Sequence, residues 1–98
     1  MTDKEVEEVR YYTRTDRSRN HQIVILMSDD TELRFTERRM IGEVRGYRLS
    51  DDTMVQIEDA AYNRAMRFSD KGEDWPLVQR LLCELQHALS IVRHSPGV

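Results

Sequence analysis

The sequence has 98 residues, of which 39% are hydrophobic and 34% are charged, and its formal net charge at pH 7 is −3. This length predicts a single domain over residues 1–98. The core should be thin, because the apolar content lies below the ~45–50% of most soluble domains. The single cysteine, Cys83, excludes an internal disulfide framework and is typical of a reducing compartment. No apolar run reaches the ~18 residues of a membrane span, and the acidic N-terminus does not resemble a signal peptide. We therefore expect a cytoplasmic protein with no membrane partner.

Charge is divided unevenly along the chain. Residues 10–48 carry nine Arg against six Asp and Glu, a local charge of +3, whereas residues 1–9 and residues 49–98 each sum to −3. The arginine-rich stretch has the pattern of β-strands and the C-terminal half has the pattern of helices. The sequence thus predicts a mildly basic sheet beside a mildly acidic helical layer.

The first predicted strand covers residues 5–14, where polar and apolar side chains alternate. Val9 and Tyr11 should share one face with Thr13, because successive side chains of a strand point to opposite sides. The other face carries Glu8, Arg10, Tyr12 and Arg14.

A hairpin is predicted from residue 21 to residue 36. Residues 21–27 are apolar on both faces, which is typical of a central strand that is covered on both sides, or covered once with large side chains lying across its other face. Residues 31–36 return after an aspartate-rich turn, with Leu33 and Phe35 pointing inward. Residues 41–48 could form a fourth strand, although Gly42 and Gly46 weaken that pattern.

A helix is predicted to begin at Ser50, because its side chain can cap free N–H groups and Asp51 and Asp52 suit the positive end of the helix dipole. A first apolar stripe on this helix consists of Met54, Ile57, Ala61, Ala65 and Phe68. A second stripe consists of Val55, Tyr62 and Met66. Two stripes call for two partners, the sheet and the other helix. Glu58 lies between the stripes, and we expect it to pair with an arginine of the sheet rather than to act in catalysis, since an unpaired buried carboxylate is costly.

The last helix is predicted to open at residues 74–76, with Pro76 in its first turn, and to end near residue 95. Its buried face centres on Val78, Leu81, Leu85, Ala88 and Val92. Strands that precede helices without alternation predict an α+β fold. We expect an antiparallel β-meander of three to four strands followed by two α-helices packed on one face of the sheet.

No catalytic motif is present in the sequence, so we predict a protein that is not an enzyme and that uses no cofactor. Cys83, His87 and His94 share one side of the last helix, within about 40°. A structural zinc site needs four ligands, and His21 is the one other His or Cys in the chain. These three residues are therefore interpreted as a solvated face, and no metal site is predicted.

Two functions fit this chain. The wide apolar surface of both helices favours a small regulatory module, of the adaptor or inhibitor type, that binds another protein or a second copy of itself as a homodimer. The alternative is binding of single-stranded nucleic acid, because cations and an aromatic ring on one sheet face form the usual platform for it. The candidate residues for binding a protein partner or nucleic acid are Arg10, Tyr12, Arg14, Arg34, Arg38 and Arg39.

Overall fold

A computed structural model describes residues 5–13, 21–68 and 72–94 of the chain. Three strands come first and helices follow, which confirms the predicted α+β fold with an antiparallel sheet. The strands are β1 (Val6–Tyr12), β2 (Gln22–Met27) and β3 (Glu32–Thr36). The helices are α1 (Met40–Tyr47), α2 (Asp51–Met66) and α3 (Trp75–His94), with a short 3-10 turn at Gly72–Asp74 before α3.

The sheet has the order β1-β2-β3, so the apolar strand β2 lies in the centre as its composition indicated. Ile23 stands opposite Tyr11 on one side and Phe35 on the other. The register of β1 shifts between Val6 and Glu8, which is the mark of a β-bulge near the start of that strand.

The turn between β2 and β3 uses its aspartates as expected. Asp29 accepts a hydrogen bond of 3.1 Å from the backbone N–H of Thr31. Asp30 adopts a φ of 69°, a left-handed conformation that Asp tolerates better than most residues. These local bonds reverse the chain and fix the register that brings Leu33 beside Ile25.

The prediction of a fourth strand at residues 41–48 is wrong, because residues 41–47 lie in α1 and Arg48 is the residue that ends this helix. Met40 and Val44 are buried one helical turn apart, and this spacing outweighs the poor helix propensity of two glycines. Arg48 ends the helix in a left-handed conformation, with a φ of 52°. The described part of the chain consequently has three helices rather than two.

The helix α2 begins where the sequence indicated. The Ser50 side chain accepts a hydrogen bond of 3.2 Å from the backbone N–H of Thr53. Helix α2 contacts β1 and α3. Its buried residues all belong to the first stripe: Met54, Ile57, Ala61 and Ala65. The Tyr11 hydroxyl of β1 connects the sheet to α2, because it donates a hydrogen bond of 2.8 Å to the carbonyl oxygen of Ala61.

The core lies between one face of the sheet and the three helices. Helix α1 contacts β3, α2 contacts β1, and α3 packs against both α1 and α2. The buried residues of α3 are Val78, Leu81, Leu82, Leu85, Ala88 and Leu89, most of which the periodicity of the sequence had assigned to its inner face. None of the helices in the described part of the chain is both long and apolar enough to cross a membrane.

Candidate functional site

Three of the predicted binding residues share the open face of the sheet. Arg10 and Arg34 stand on either side of Val24 in one row across the three strands, and Tyr12 lies two positions further along β1. Their alternation with the core residues turns them away from the helices. Arg14 lies outside the described residues. The name open face is used here for the side of the sheet that carries Arg10, Tyr12 and Arg34.

Each arginine of the open face is paired with a glutamate of its own strand. Arg10 Nε lies 2.8 Å from Glu8 Oε2, and an Arg34 guanidinium nitrogen lies 2.8 Å from Glu32 Oε1. The hydrogen bond from Arg10 lowers the pKa of the Glu8 carboxyl. The pKa of the Arg10 guanidinium is raised, chiefly by its hydrogen bond to Glu8 and also by one to Tyr12. All four charged side chains are about half exposed, so these pairs stabilise the fold weakly.

The long side chains of the open face also cover apolar surface. Val24 is 4% exposed although it points away from the helices and lies outside the main core cluster. It shares the walls of a small cavity of about 50 Å³ with Arg10, Tyr12 and Arg34. Arginine stems and a tyrosine ring can shield apolar atoms while their polar ends stay in water. Strand β2 is therefore covered by helices on one side and by large side chains on the other.

Arg38 and Arg39 lie elsewhere, in the turn between β3 and α1. Both are exposed, and they line a cavity of about 220 Å³ together with Glu84 and His87 of α3. They do not line the cavity of the open face. Of the five predicted binding residues that the structure describes, three therefore lie on the open face and two lie in this turn.

A half-buried glutamate with one buried oxygen is the most unusual group beside Arg38 and Arg39. Glu84 Oε2 is buried without a hydrogen-bond partner, and burial raises the pKa of this carboxyl, with a further rise from the charge of Glu37. Glu37 itself accepts a hydrogen bond of 2.9 Å from Arg80 and lies 3.4 Å from His21 Nδ1. Within the described residues, no three His, Cys, Asp or Glu side chains are grouped so that they could hold a metal ion. Cys83, His87 and His94 are all exposed on α3, as a solvated face requires.

The second stripe of α2 is exposed, which the sequence did not indicate. Val55, Tyr62 and Met66 are 45%, 49% and 38% exposed, although both stripes were expected to be covered. Glu58 pairs with Arg93 of α3 at 3.3 Å, and not with an arginine of the sheet. The polar residue between the stripes is thus bridged to α3, and the surface beyond it faces solvent.

No protein-family model, no curated protein and no solved structure matches the chain.

Proposed function

We propose that this protein is a non-enzymatic interaction module, of the adaptor or inhibitor type, which binds another protein through the second stripe of α2. The observation that carries the proposal is the exposure of this stripe. Of the four large hydrophobic side chains that are exposed in the described residues, three belong to it: Val55, Tyr62 and Met66. Single exposed apolar residues are common on protein surfaces, but an aligned set is typical of an interaction site.

The geometry of the stripe suits a helix or another elongated ridge of a partner. Its three side chains fall within about 40° of one another around α2, by 100° per residue. They extend along the helix for about 16 Å at 1.5 Å per residue. An apolar ridge of this length, with an aromatic ring at its centre, resembles the anchor positions of a helix that docks into a groove.

The surrounding charge favours a heterologous partner over a second copy. Asp51 and Asp52 at the start of α2 and Asp59 beside the stripe are exposed, whereas the Glu58 carboxylate is paired with Arg93. A dimer joined stripe to stripe would bring two acidic surfaces together, which is unfavourable. The partner we propose therefore offers an apolar surface with a basic rim.

Site-specific photocrosslinking in the source lysate tests this proposal. A photoreactive phenylalanine analogue at Tyr62 should crosslink one partner, and the same analogue at the exposed Gln79 of α3 should not. The crosslink should weaken as salt rises, because salt screens the acidic rim. It should also be lost in a Val55→Thr, Met66→Gln variant that retains the circular dichroism of the parent.

Three outcomes would count against the α2 site. One is equal crosslinking from Tyr62 and Gln79, and another is a partner that still binds the Val55→Thr, Met66→Gln variant. A crosslink from Tyr62 to a second copy alone, together with a dimeric mass by light scattering, would replace the heterologous partner with a homodimer.

The open face supports a second candidate function, the binding of single-stranded nucleic acid. The specific observation in its favour is that Arg10, Tyr12 and Arg34 share that face. Two or three arginine contacts to phosphates predict a log–log salt slope of roughly −1.5 to −2, at about −0.7 for each phosphate. Replacing Tyr12 with Ala should weaken binding by about 1–3 kcal/mol if a base stacks on the ring. Fluorescence anisotropy with a labelled oligonucleotide at low salt measures both effects, and a flat titration into the tens of micromolar would eliminate this candidate.

A further inference from the structure

The direction of the Arg34 backbone N–H shows which backbone groups of the sheet point outward from its edges. The backbone N–H of Arg34 donates a hydrogen bond of 2.9 Å to the Tyr47 hydroxyl, so it points away from β2. In an antiparallel ladder, both polar groups of a residue point to the same side, and the side alternates from residue to residue. Arg34 and Val24 are therefore a pair without mutual backbone hydrogen bonds, and Val24 uses its backbone groups toward β1 instead.

The same alternation fixes the outer side of β1. Because Val24 bonds to Arg10 across the ladder, the neighbouring residues Val9 and Tyr11 turn their N–H and C=O groups outward. In the described part of the chain, β1 pairs with β2 and with no strand on its outer side. Unpaired edge groups of this kind are a template for an added strand.

A groove of about 430 Å³ runs beside this open edge, between β1 and α2. Val6 and Val9 supply apolar surface on the strand side, and Ala60 supplies it on the helix side. Asn63 and Arg64 of α2 complete the helix side together with Arg67, which directly follows α2, and Glu7 and Glu8 complete the strand side. A groove bounded by an edge strand and a helix is the geometry in which extended peptides bind by β-augmentation.

The helix side of the groove is basic. Among the described residues, no carboxylate lies within ion-pair distance of the Arg64 or Arg67 guanidinium, and Glu8 is already bound by Arg10. The Arg64 guanidinium lies 5.1 Å from the centre of the Phe68 ring, a contact that holds its charge beside the groove. The strand wall carries Glu7 and Glu8, and the Arg64 charge adds to that of Arg10 in lowering the pKa of the Glu8 carboxyl. Because Arg10 already offsets the Glu8 charge, the two cations of the helix wall outnumber the remaining carboxylate, and this wall is complementary to the acidic side chains of a peptide.

We propose that the groove between β1 and α2 binds an extended peptide segment of another protein that carries Asp or Glu side chains. The peptide adds to the sheet as a fourth strand by bonding to the backbone groups of Val9 and Tyr11. Its acidic side chains meet Arg64 and Arg67. A second copy is the less favourable occupant. Joining two β1 edges would bring Arg64 and Arg67 of both copies to one interface, where their like charges repel.

This binding surface is separate from the exposed stripe of α2. The groove residues on the helix side lie between about 80° and 180° around the helix from the stripe of Val55, Tyr62 and Met66, by 100° per residue. The groove can therefore bind its peptide whether or not the stripe has a partner, and the inference goes beyond the function proposed above.

The test is a selection of random decapeptides displayed on phage against the immobilised full-length chain. Enriched peptides should be rich in Asp or Glu. In a fluorescence-anisotropy titration, Arg67→Glu should weaken the best peptide by about tenfold or more, since it reverses a charge at the contact. The matched control Arg45→Glu, an exposed arginine of α1, should leave the affinity within about twofold, and so should the stripe variant Val55→Thr, Met66→Gln.

Hydrogen exchange followed by NMR reads the backbone contact directly. The Val9 and Tyr11 amides should exchange rapidly in the free protein and become protected when the selected peptide binds. Arg64→Gln, which removes a charge without reversing it, gives a second measure of affinity if Arg67→Glu impairs folding. The proposal is overturned if no peptide is enriched, if enriched peptides bind both groove variants as tightly as the parent, or if peptide binding leaves the two amides unprotected. Concentration-dependent protection of these amides in the free protein would instead assign the groove to a second copy.

Discussion

The Tyr47 hydroxyl in α1 lies 2.9 Å from the backbone nitrogen of Arg34 in β3 and accepts its hydrogen bond. The Tyr47 ring also meets Phe35 edge to face, with the ring centres 5.6 Å apart. Helix α1 thereby covers the outer edge of β3. On β1, the Val6 N–H donates a hydrogen bond of 3.4 Å to Gln56 of α2, while the backbone groups of Val9 and Tyr11 point outward with no strand beside them in the described part of the chain. The two edges of one small sheet therefore differ in how their outward backbone groups are bonded, and this difference underlies the proposal that a peptide adds beside β1.

Removing the Tyr47 hydroxyl should destabilise the protein. Tyr47→Phe keeps the ring contact with Phe35 but leaves the Arg34 N–H without its acceptor, at a cost of about 0.5–1.5 kcal/mol. Urea unfolding measures the change in the free energy of unfolding. Tyr62→Phe is the matched control, because the Tyr62 side chain is 49% exposed. Equal stabilities of the two variants would contradict the edge-covering role of Tyr47.

The cap of α2 should contribute a similar amount. Ser50→Ala removes the side chain that accepts a hydrogen bond from Thr53, and the loss of such a cap costs about 1 kcal/mol. Thermal or urea unfolding provides the measurement. Ser90→Ala, in an exposed position of α3, is a suitable control, since Ala is the better helix former there. If Ser50→Ala is no less stable than Ser90→Ala, the cap is unimportant.

The pair between Glu58 and Arg93 should couple α2 to α3 weakly. Their side chains are 32% and 27% exposed, so a double-mutant cycle with Glu58→Gln and Arg93→Gln should give a coupling energy of about 1 kcal/mol or less. The coupling energy should fall in 1 M salt, because partly exposed charges are screened. A large coupling energy that salt does not change would indicate a more buried pair than the structure has.

Glu84 should make stability depend on pH in an unusual direction. Because burial raises the pKa of its carboxyl above the ordinary value of 4.5, the folded state binds this proton more tightly than the unfolded state. The ionised side chain therefore destabilises the fold above its raised pKa, and this penalty disappears as the pH falls through that pKa toward 4.5. Glu84→Gln should raise the free energy of unfolding near neutral pH and lose its advantage below 4.5. Urea unfolding across this range measures it, and a difference between Glu84→Gln and the parent that is constant with pH would contradict the prediction.

The strands and two of the helices could be predicted because their signals are local. Alternation placed Leu33 and Phe35 inward, and both are buried. The cap at Ser50 was predicted from the residues next to it, since N-caps act within one turn. The helix α1 was missed because Gly42 and Gly46 disfavour a helix by about 1 kcal/mol each relative to Ala. Packing of Met40 and Val44 against the core overrides that local preference.

The candidate surfaces were less predictable than the elements that carry them. Arg10, Tyr12 and Arg34 were correctly expected to point away from the core, because the period of a strand fixes the face. The sequence pattern does not predict that Arg10 and Arg34 pair with glutamates of their own strands. Residues on a neighbouring strand are equally possible partners, and the pattern does not say which of them lie opposite. No local pattern indicates that Arg64 and Arg67 line a groove beside β1.

Local sequence patterns are enough to predict the strand faces, the hairpin turn, the start of α2 and the inner face of α3. Each depends on side chains within a few positions of one another, so periodicity and capping are enough to specify it. Packing between distant elements leaves the second stripe of α2 exposed, pairs Glu58 with Arg93, and covers the β3 edge with α1 while the backbone groups of Val9 and Tyr11 in β1 face outward. These features depend on which elements pack together, and elements far apart in the chain are brought into contact by burial of the whole core rather than by any local pattern.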